Sequence, residues 1–231
     1  VSLLLEQGGS ALLCPTQLFY HSPVTVTGVH PMHGSDAGST AVVVTGTGFA
    51  RRMDLWCRFG VTAPVPASFL SPSMVQCVSP PSRPGAASLE VTVNGQDYTT
   101  DGVQFTYIHA WLVRSVEPAV GSSQGGTRVV VHGSAFNAKR APTAATLCRF
   151  GDIIVSGVVL DAHRVSCTAP PARVASTTTS RTTVPVAVSL NGVDFAAGGE
   201  DALFEYLPPF GVEHIVRGQY RAQGSAGSYC D

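Results

Sequence analysis

Six cysteines are the side chains of this 231-residue chain whose type and spacing speak most directly of chemistry, and four of them recur at matched positions. Leu55-Trp56-Cys57-Arg58-Phe59-Gly60 returns as Leu147-Cys148-Arg149-Phe150-Gly151, and Cys77-Val78-Ser79-Pro80-Pro81 returns as Cys167-Thr168-Ala169-Pro170-Pro171. In an extended segment Leu55, Cys57 and Phe59 share one face, so Cys57 and Cys148 turn inward with apolar neighbours. Cys77 and Cys167 follow 20 and 19 residues later. An inward pair in each copy suits the disulfides Cys57–Cys77 and Cys148–Cys167, each worth about 3 kcal/mol for a loop of that size. Four buried reduced thiols are the alternative, since cysteine also packs as a small hydrophobe. Zinc fits less well, because no Cys-x-x-Cys or His-x-x-x-His partner is near. Disulfides imply an oxidising compartment, hence an extracellular or cell-surface location. Cys14 and Cys230 have no repeated partner, and we read them as unpaired within this segment.

Other candidate chemistry is thin. Ser35, His33 and Asp36 lie in one Gly-rich stretch without a Gly-x-Ser-x-Gly elbow, so no triad and no catalytic residue is assigned. His30, His33 and Asp36 could form a loose metal site, but they lack further fixed ligands and read as a solvated turn; no metal or other cofactor is expected. Gly121-Ser122-Ser123-Gln124-Gly125-Gly126-Thr127 resembles a phosphate cradle only in its glycines and is read as a turn. Trp56 and Arg58 fall on the face opposite Cys57 and form a candidate contact patch, with a Trp covered by its own neighbouring strand as the alternative. Trp111, four residues after Tyr107, is placed at an intermodule joint, where its truncation would loosen the joint and leave both modules folded. Ser176–Thr183 is dense in hydroxyls and is a candidate for O-glycans, with a polar hairpin loop as the alternative. The three asparagines, 94, 137 and 191, start no Asn-x-Ser/Thr sequon.

These residues sit on a repeated scaffold. Val29-His30-Pro31 answers Val116-Glu117-Pro118, Gly46-Thr47-Gly48-Phe49 answers Gly133-Ser134-Ala135-Phe136, and Val93-Asn94-Gly95 answers Leu190-Asn191-Gly192. Phe105-Thr106-Tyr107 answers Phe204-Glu205-Tyr206, and the extra residues of copy two fall mainly in Lys139–Ala145 and Ala175–Thr183, as surface loops permit. Leu89, Val91 and Val93 alternate with polar residues before Asn94-Gly95, which reads as a tight hairpin turn into Val103–Tyr107. Thr40–Thr45 and Thr127–Val131 read as buried strands, and no window keeps a 3.6-residue apolar period, so almost no helix is expected. Seven or so strands per module describe a β-sandwich. Residues 1–23 read as the C-terminal strands of a preceding module, 24–108 and 109–209 as two complete modules, and 210–231 as the start of an unassigned segment. Only Ile108, His109, Ala110 and Trp111 separate Tyr107 from the next strand, which predicts modules fixed end to end in a rod of roughly 35–40 Å per module.

Taken together, the Pro-x-x-Gly…Gly-Gly-Thr run of Pro118–Thr127, the Gly-x-x-Phe of Gly133–Phe136, the Cys-Arg-Phe-Gly of both copies and the Cys-x-x-Pro-Pro ends resemble IPT/TIG domains. Those are the immunoglobulin-like modules of plexins and related transcription factors, and the resemblance covers about Val24 to Pro209. It implies an all-β chain of tandem immunoglobulin-like sandwiches. In the cysteine-bearing form it implies kinship with plexin, growth-factor-receptor and fibrocystin-like ciliary ectodomains. Copy one departs from the pattern: Gly34–Thr40 lacks the Gly-Gly pair, which leaves its first turn open.

These readings point to a non-enzymatic extracellular structural or adhesion module of a cell-surface, ciliary or filament protein, whose partners are other protein chains or neighbouring modules. A ligand-binding receptor ectodomain is the first rival, and an accessory module of a secreted carbohydrate enzyme is another. A Rel-like DNA-binding domain is a third, but 14 basic against 15 acidic side chains supply no field for a phosphate backbone, so no nucleic acid is expected. No apolar run long enough for direct membrane insertion occurs.

Overall fold

The computed structural model describes residues 4–7, 10–13, 23–51, 54–136, 146–172 and 181–208. Strands dominate them, and the one helical element is a 3-10 turn at Glu200–Ala202. Near the N-terminus β1 (Leu4–Gln7) and β2 (Ser10–Leu13) pair antiparallel, Leu4 opposite Leu13. Cys14, Cys230, Lys139–Ala145, Ser176–Ser180 and the segment 210–231 lie outside the described residues.

Module one contains β3 (Thr25–His30), β4 (His33–Ser35), β5 (Ala41–Thr47), β6 (Trp56–Phe59), β7 (Val65–Ser71), β8 (Met74–Val78), β9 (Gly85–Thr92) and β10 (Gln104–Ile108). Module two contains β11 (Leu112–Glu117), β12 (Val120–Ser122), β13 (Arg128–Ser134), β14 (Leu147–Phe150), β15 (Ile153–Asp161), β16 (Arg164–Thr168), β17 (Thr182–Ser189), β18 (Ala196–Ala197) and β19 (Leu203–Leu207). The hydrogen-bonded order β3-β5-β8-β7-β6-β9-β10-β4 recurs as β11-β13-β16-β15-β14-β17-β19-β12, with β18 added beside β17. Long strands pass from one layer to the other. The first half of β9 pairs with β10, and its second half, Leu89–Thr92, pairs with β6.

The tight hairpin expected at Asn94-Gly95 is replaced by a longer connection. β10 pairs with Gly85–Ser88, and residues 93–103 return along the edge of Leu89–Thr92 that β6 does not use, with Thr99 N donating to Val91 O at 3.0 Å and Leu89 N to Val103 O at 2.8 Å. His33–Ser35 and Val120–Ser122 are a second difference from the expected turns. Each is a short strand lying parallel to the last strand of its module, β10 or β19.

Alternation makes the cores. In β5 Val42 and Val44 are fully buried, as are Val129 and Val131 in β13. Around them pack Phe59, Phe105 and Tyr107 in module one and Phe150, Phe204 and Tyr206 in module two. The Phe105–Tyr107 and Phe204–Tyr206 rings meet edge to face at centroid distances of 5.0 Å, the arrangement that aligns ring edge with ring face. Each buried Phe contributes roughly 2 kcal/mol by removal from water.

Candidate functional site

The disulfide cysteines sit at the centre of each core. Cys57 on β6 is bonded to Cys77 on β8, Cα atoms 6.4 Å apart, and Cys148 on β14 to Cys167 on β16 at 6.3 Å. All four are essentially inaccessible, so the bridges tie layer to layer and take no part in exchange with solvent.

Three residues past each second cysteine, the Pro-Pro pair forms the wall of a turn. Gly38 and Gly125 both have φ of 81°, and a Cβ on either would come within 2.7 Å of Pro81 or Pro171 backbone nitrogen. The next residue is also left-handed in both copies, Gly126 at 84° and Ser39 at 67°. Ser39 N donates to Ser79 O at 2.8 Å, and Gly126 N to Ala169 O at 2.9 Å. The turn geometry left open in copy one is therefore the same as in copy two, with Ser39 held in a conformation that costs an L-residue about 1–2 kcal/mol.

Trp56 is half-buried in β6, between Pro66 and Thr92 on neighbouring strands. Arg58 is committed within its own module: Nε donates to Glu90 Oε2 at 2.9 Å, Nη2 reaches the same oxygen, and the guanidinium lies 4.0 Å over the Tyr98 ring. Arg149 stacks likewise over Phe195 at 4.8 Å. A larger apolar surface, missed in the sequence, is the outward side of β15, where Ile154, Val158 and Leu160 are 51%, 64% and 45% exposed. Its signal was the adjacent apolar pairs Ile153-Ile154 and Val158-Val159, which put hydrophobes on both faces of one strand.

The densest polar constellation joins the modules. After β17, Asn191 Oδ1 accepts from Val193 N at 3.1 Å and Asp194 N at 2.8 Å, while its Nδ2 donates to Asp194 Oδ2 at 2.8 Å. The loop is thus set by its own side chain before it meets module one. Across the boundary, His33 Nε2–H donates to Leu190 O at 3.0 Å and Asn191 Nδ2 donates to His33 O at 3.2 Å. Thr40 Oγ1 donates to Asp194 Oδ2 at 2.7 Å. Asp36 completes the clamp, accepting from Ala110 N at 2.9 Å and lying 3.1 Å from His109 Nδ1.

His33 is 3% exposed and Asn191 1%, so the stretch read as a solvated turn is interface. Burial pushes the His33 imidazole below its ordinary 6.5, against opposing pulls from the Leu190 hydrogen bond and the Asp194 carboxylate. Trp111 donates Nε1–H to Val188 O at 2.9 Å and is 4% exposed in the core of module two, at its end facing Ser35, Gly38 and Ser39. Tyr107 lies in the core of module one, where burial raises its phenol to about 12. A cleft of ≈ 210 Å3 remains between Ser39, Trp111, Asp194 and Phe195, below the roughly 300–1,000 Å3 of small-molecule sites. Among the described residues, no group of three His, Cys, Asp or Glu side chains converges on a point, and no helix is long and apolar enough to cross a membrane.

Paired disulfide sandwiches of one topology, each with a Gly turn against Pro-Pro, define an immunoglobulin-like tandem. The IPT/TIG domain model matches residues 23–107 and 112–206, and the chain belongs to that family. Among curated proteins it is similar to Fibrocystin-L of Homo sapiens, 28% identical over 173 residues, and to Fibrocystin-L of Mus musculus, 29% identical over 143 residues. These alignments cover 70% and 59% of this chain but only 4% and 3% of those proteins. In fold it is similar to the Plexin A4 full extracellular region, with a TM-score of 0.55 at 22% identity over 83% of this chain and 16% of that one.

Proposed function

We propose that this chain is a non-enzymatic structural or adhesion segment of a larger extracellular or cell-surface protein, such as a ciliary or filament component, working through protein–protein contacts. The observation that carries the reading is the joint. A preformed Asn191–Asp194 loop and a buried His33 hold two sandwiches together, which is the construction of a spacer or stalk and not of a hinge around a substrate. Two core disulfides support an oxidising, extracellular setting. The likeness to Fibrocystin-L supports membership of a much longer chain. A formal net charge of −1 permits association without strong repulsion.

Cross-linking mass spectrometry on the intact parent protein at the cell surface tests this. Cross-links from these modules to other protein chains are expected. Their absence, together with tight binding of a nucleic acid or small ligand to these modules, overturns the proposal. A ligand-binding receptor ectodomain is the second reading, favoured by the exposed apolar residues of β15. It is distinguished by stoichiometric, saturable binding of one soluble protein.

A further inference from the structure

The loop with which module two holds module one exists a second time, with no module seated on it among the described residues. Thr92-Val93-Asn94-Gly95-Gln96-Asp97 repeats the pattern of Ser189-Leu190-Asn191-Gly192-Val193-Asp194. Asn94 Oδ1 accepts from Gln96 N at 3.0 Å and Asp97 N at 2.9 Å, and its Nδ2 donates to Asp97 Oδ2 at 2.8 Å, the bonds of Asn191 one for one. The ground beside it is repeated as well. Pro23, Val24 and Tyr98 stand where Ala110, Trp111 and Phe195 stand, and they line a cleft of ≈ 210 Å3 beside Asn94 and Asp97, whereas the cleft at the joint is walled on one side by Ser35, Gly38 and Ser39 of module one.

The covering differs, and Val24 takes the place of the indole of Trp111. Asn191 is buried and Asp194 half-buried under module one, whereas Asn94 is half-buried and Asp97 exposed. The complementary end is also duplicated. Thr127 occupies the position of Thr40, and Val120, 45% exposed, occupies that of the buried His33.

We infer that the Thr92–Asp97 loop, with the cleft formed by Pro23, Val24 and Tyr98, is a docking surface for the strand-and-turn end of another IPT/TIG module. Asp97 takes the hydroxyl of the incoming threonine, Asn94 Nδ2 donates to a main-chain carbonyl, and the Val93 carbonyl accepts from an imidazole where the partner has one. The occupant is identified by the joint within this chain, where the same loop holds a module end of that chemistry. The loop's geometry is set without a partner, so docking costs little ordering. The inference rests on the reading that the chain works through protein contacts, and it names the kind of contact.

The test mixes two forms of the 231-residue chain so that one contact alone can form. The acceptor is isotope-labelled Thr127→Val, whose own turn end lacks the hydroxyl. The donor is unlabelled Asp97→Ala carrying Val120→His, which restores the imidazole seen at His33. Amide shifts confined to Val24 and Val91–Thr99 of the acceptor are expected at about 1 mM donor, the effective concentration that a tandem linkage supplies. The Val120→His donor should bind about three- to tenfold tighter than the same donor with Val120, the gain of one hydrogen bond. Asp97→Ala in the acceptor should abolish the shifts. No shift, or shifts that persist in an acceptor carrying Asp97→Ala, overturns the inference. Cross-links from other faces of the parent protein would then leave the broader reading standing.

Discussion

Ser39 shows how a single side chain can be out of step with its position. It adopts φ 67° where module two has Gly126 at 84°, because Gly38 against Pro81 and the Ser39–Ser79 hydrogen bond leave the backbone no other path. Ser39→Gly should therefore raise the stability of module one by roughly 0.5–1 kcal/mol, the relieved strain less the added freedom of the unfolded chain. Gly126→Ser should lower module two by a similar amount, and paired thermal melts check both signs. Glycine spacing announced a turn here, but its wall was not legible: Pro80 and Pro81 lie some forty residues away, and only folding brings them against Gly38. Arg58 was likewise legible as an outward side chain, while its commitment to Glu90 and Tyr98 depended on which strand lies beside β6.

Among the elements, β6 and β8, or β14 and β16, are stapled through a core that is otherwise mostly valine and phenylalanine. Replacing Cys57 and Cys77 together by alanine should cost module one about 3 kcal/mol, and replacing Cys148 and Cys167 should cost module two about the same. Each change should shift one calorimetric transition and leave the other in place. Non-reducing peptide mapping should recover these two pairings from the unaltered protein. Period-two patterning located these strands well, since alternation between a wet and a dry face is a local property. It misjudged the Asn94-Gly95 hairpin because the returning chain keeps only single bonds, Thr99 N to Val91 O and Leu89 N to Val103 O, before β10 begins at Gln104, a fact of pairing and not of pattern.

At the scale of the whole molecule, the joint should respond to pH through His33. Its imidazole titrates below 6.5 when docked, so the separated state binds the proton first, and docking is fully stable above that pH and weakens as pH falls below it. The facing groups are Asp194, which opposes the shift, and the neutral Leu190 carbonyl. Small-angle scattering between about pH 7.5 and pH 5.5 should show the two modules gaining relative freedom, and His33→Gln should flatten that response. Trp111→Ala should do more than loosen the joint. The indole lies in the core of module two, so its loss should cost that module about 3–5 kcal/mol, read by its melting transition.

By itself the sequence determined that two like modules follow one another, that their strands alternate, and that their cysteines face inward, because repeats, periodicity and side-chain parity are written along the chain. It also placed Tyr107 and Trp111 near the boundary. The tertiary structure alone decided that His33, Thr40 and Asp36 would meet Leu190, Asn191, Asp194, His109 and Ala110 there. The physical reason is separation. His33 and Leu190 are more than 150 residues apart, and neither carries a local signal of the other. A carbonyl, a hydroxyl and a carboxylate become partners only when two finished sandwiches present them at matching height.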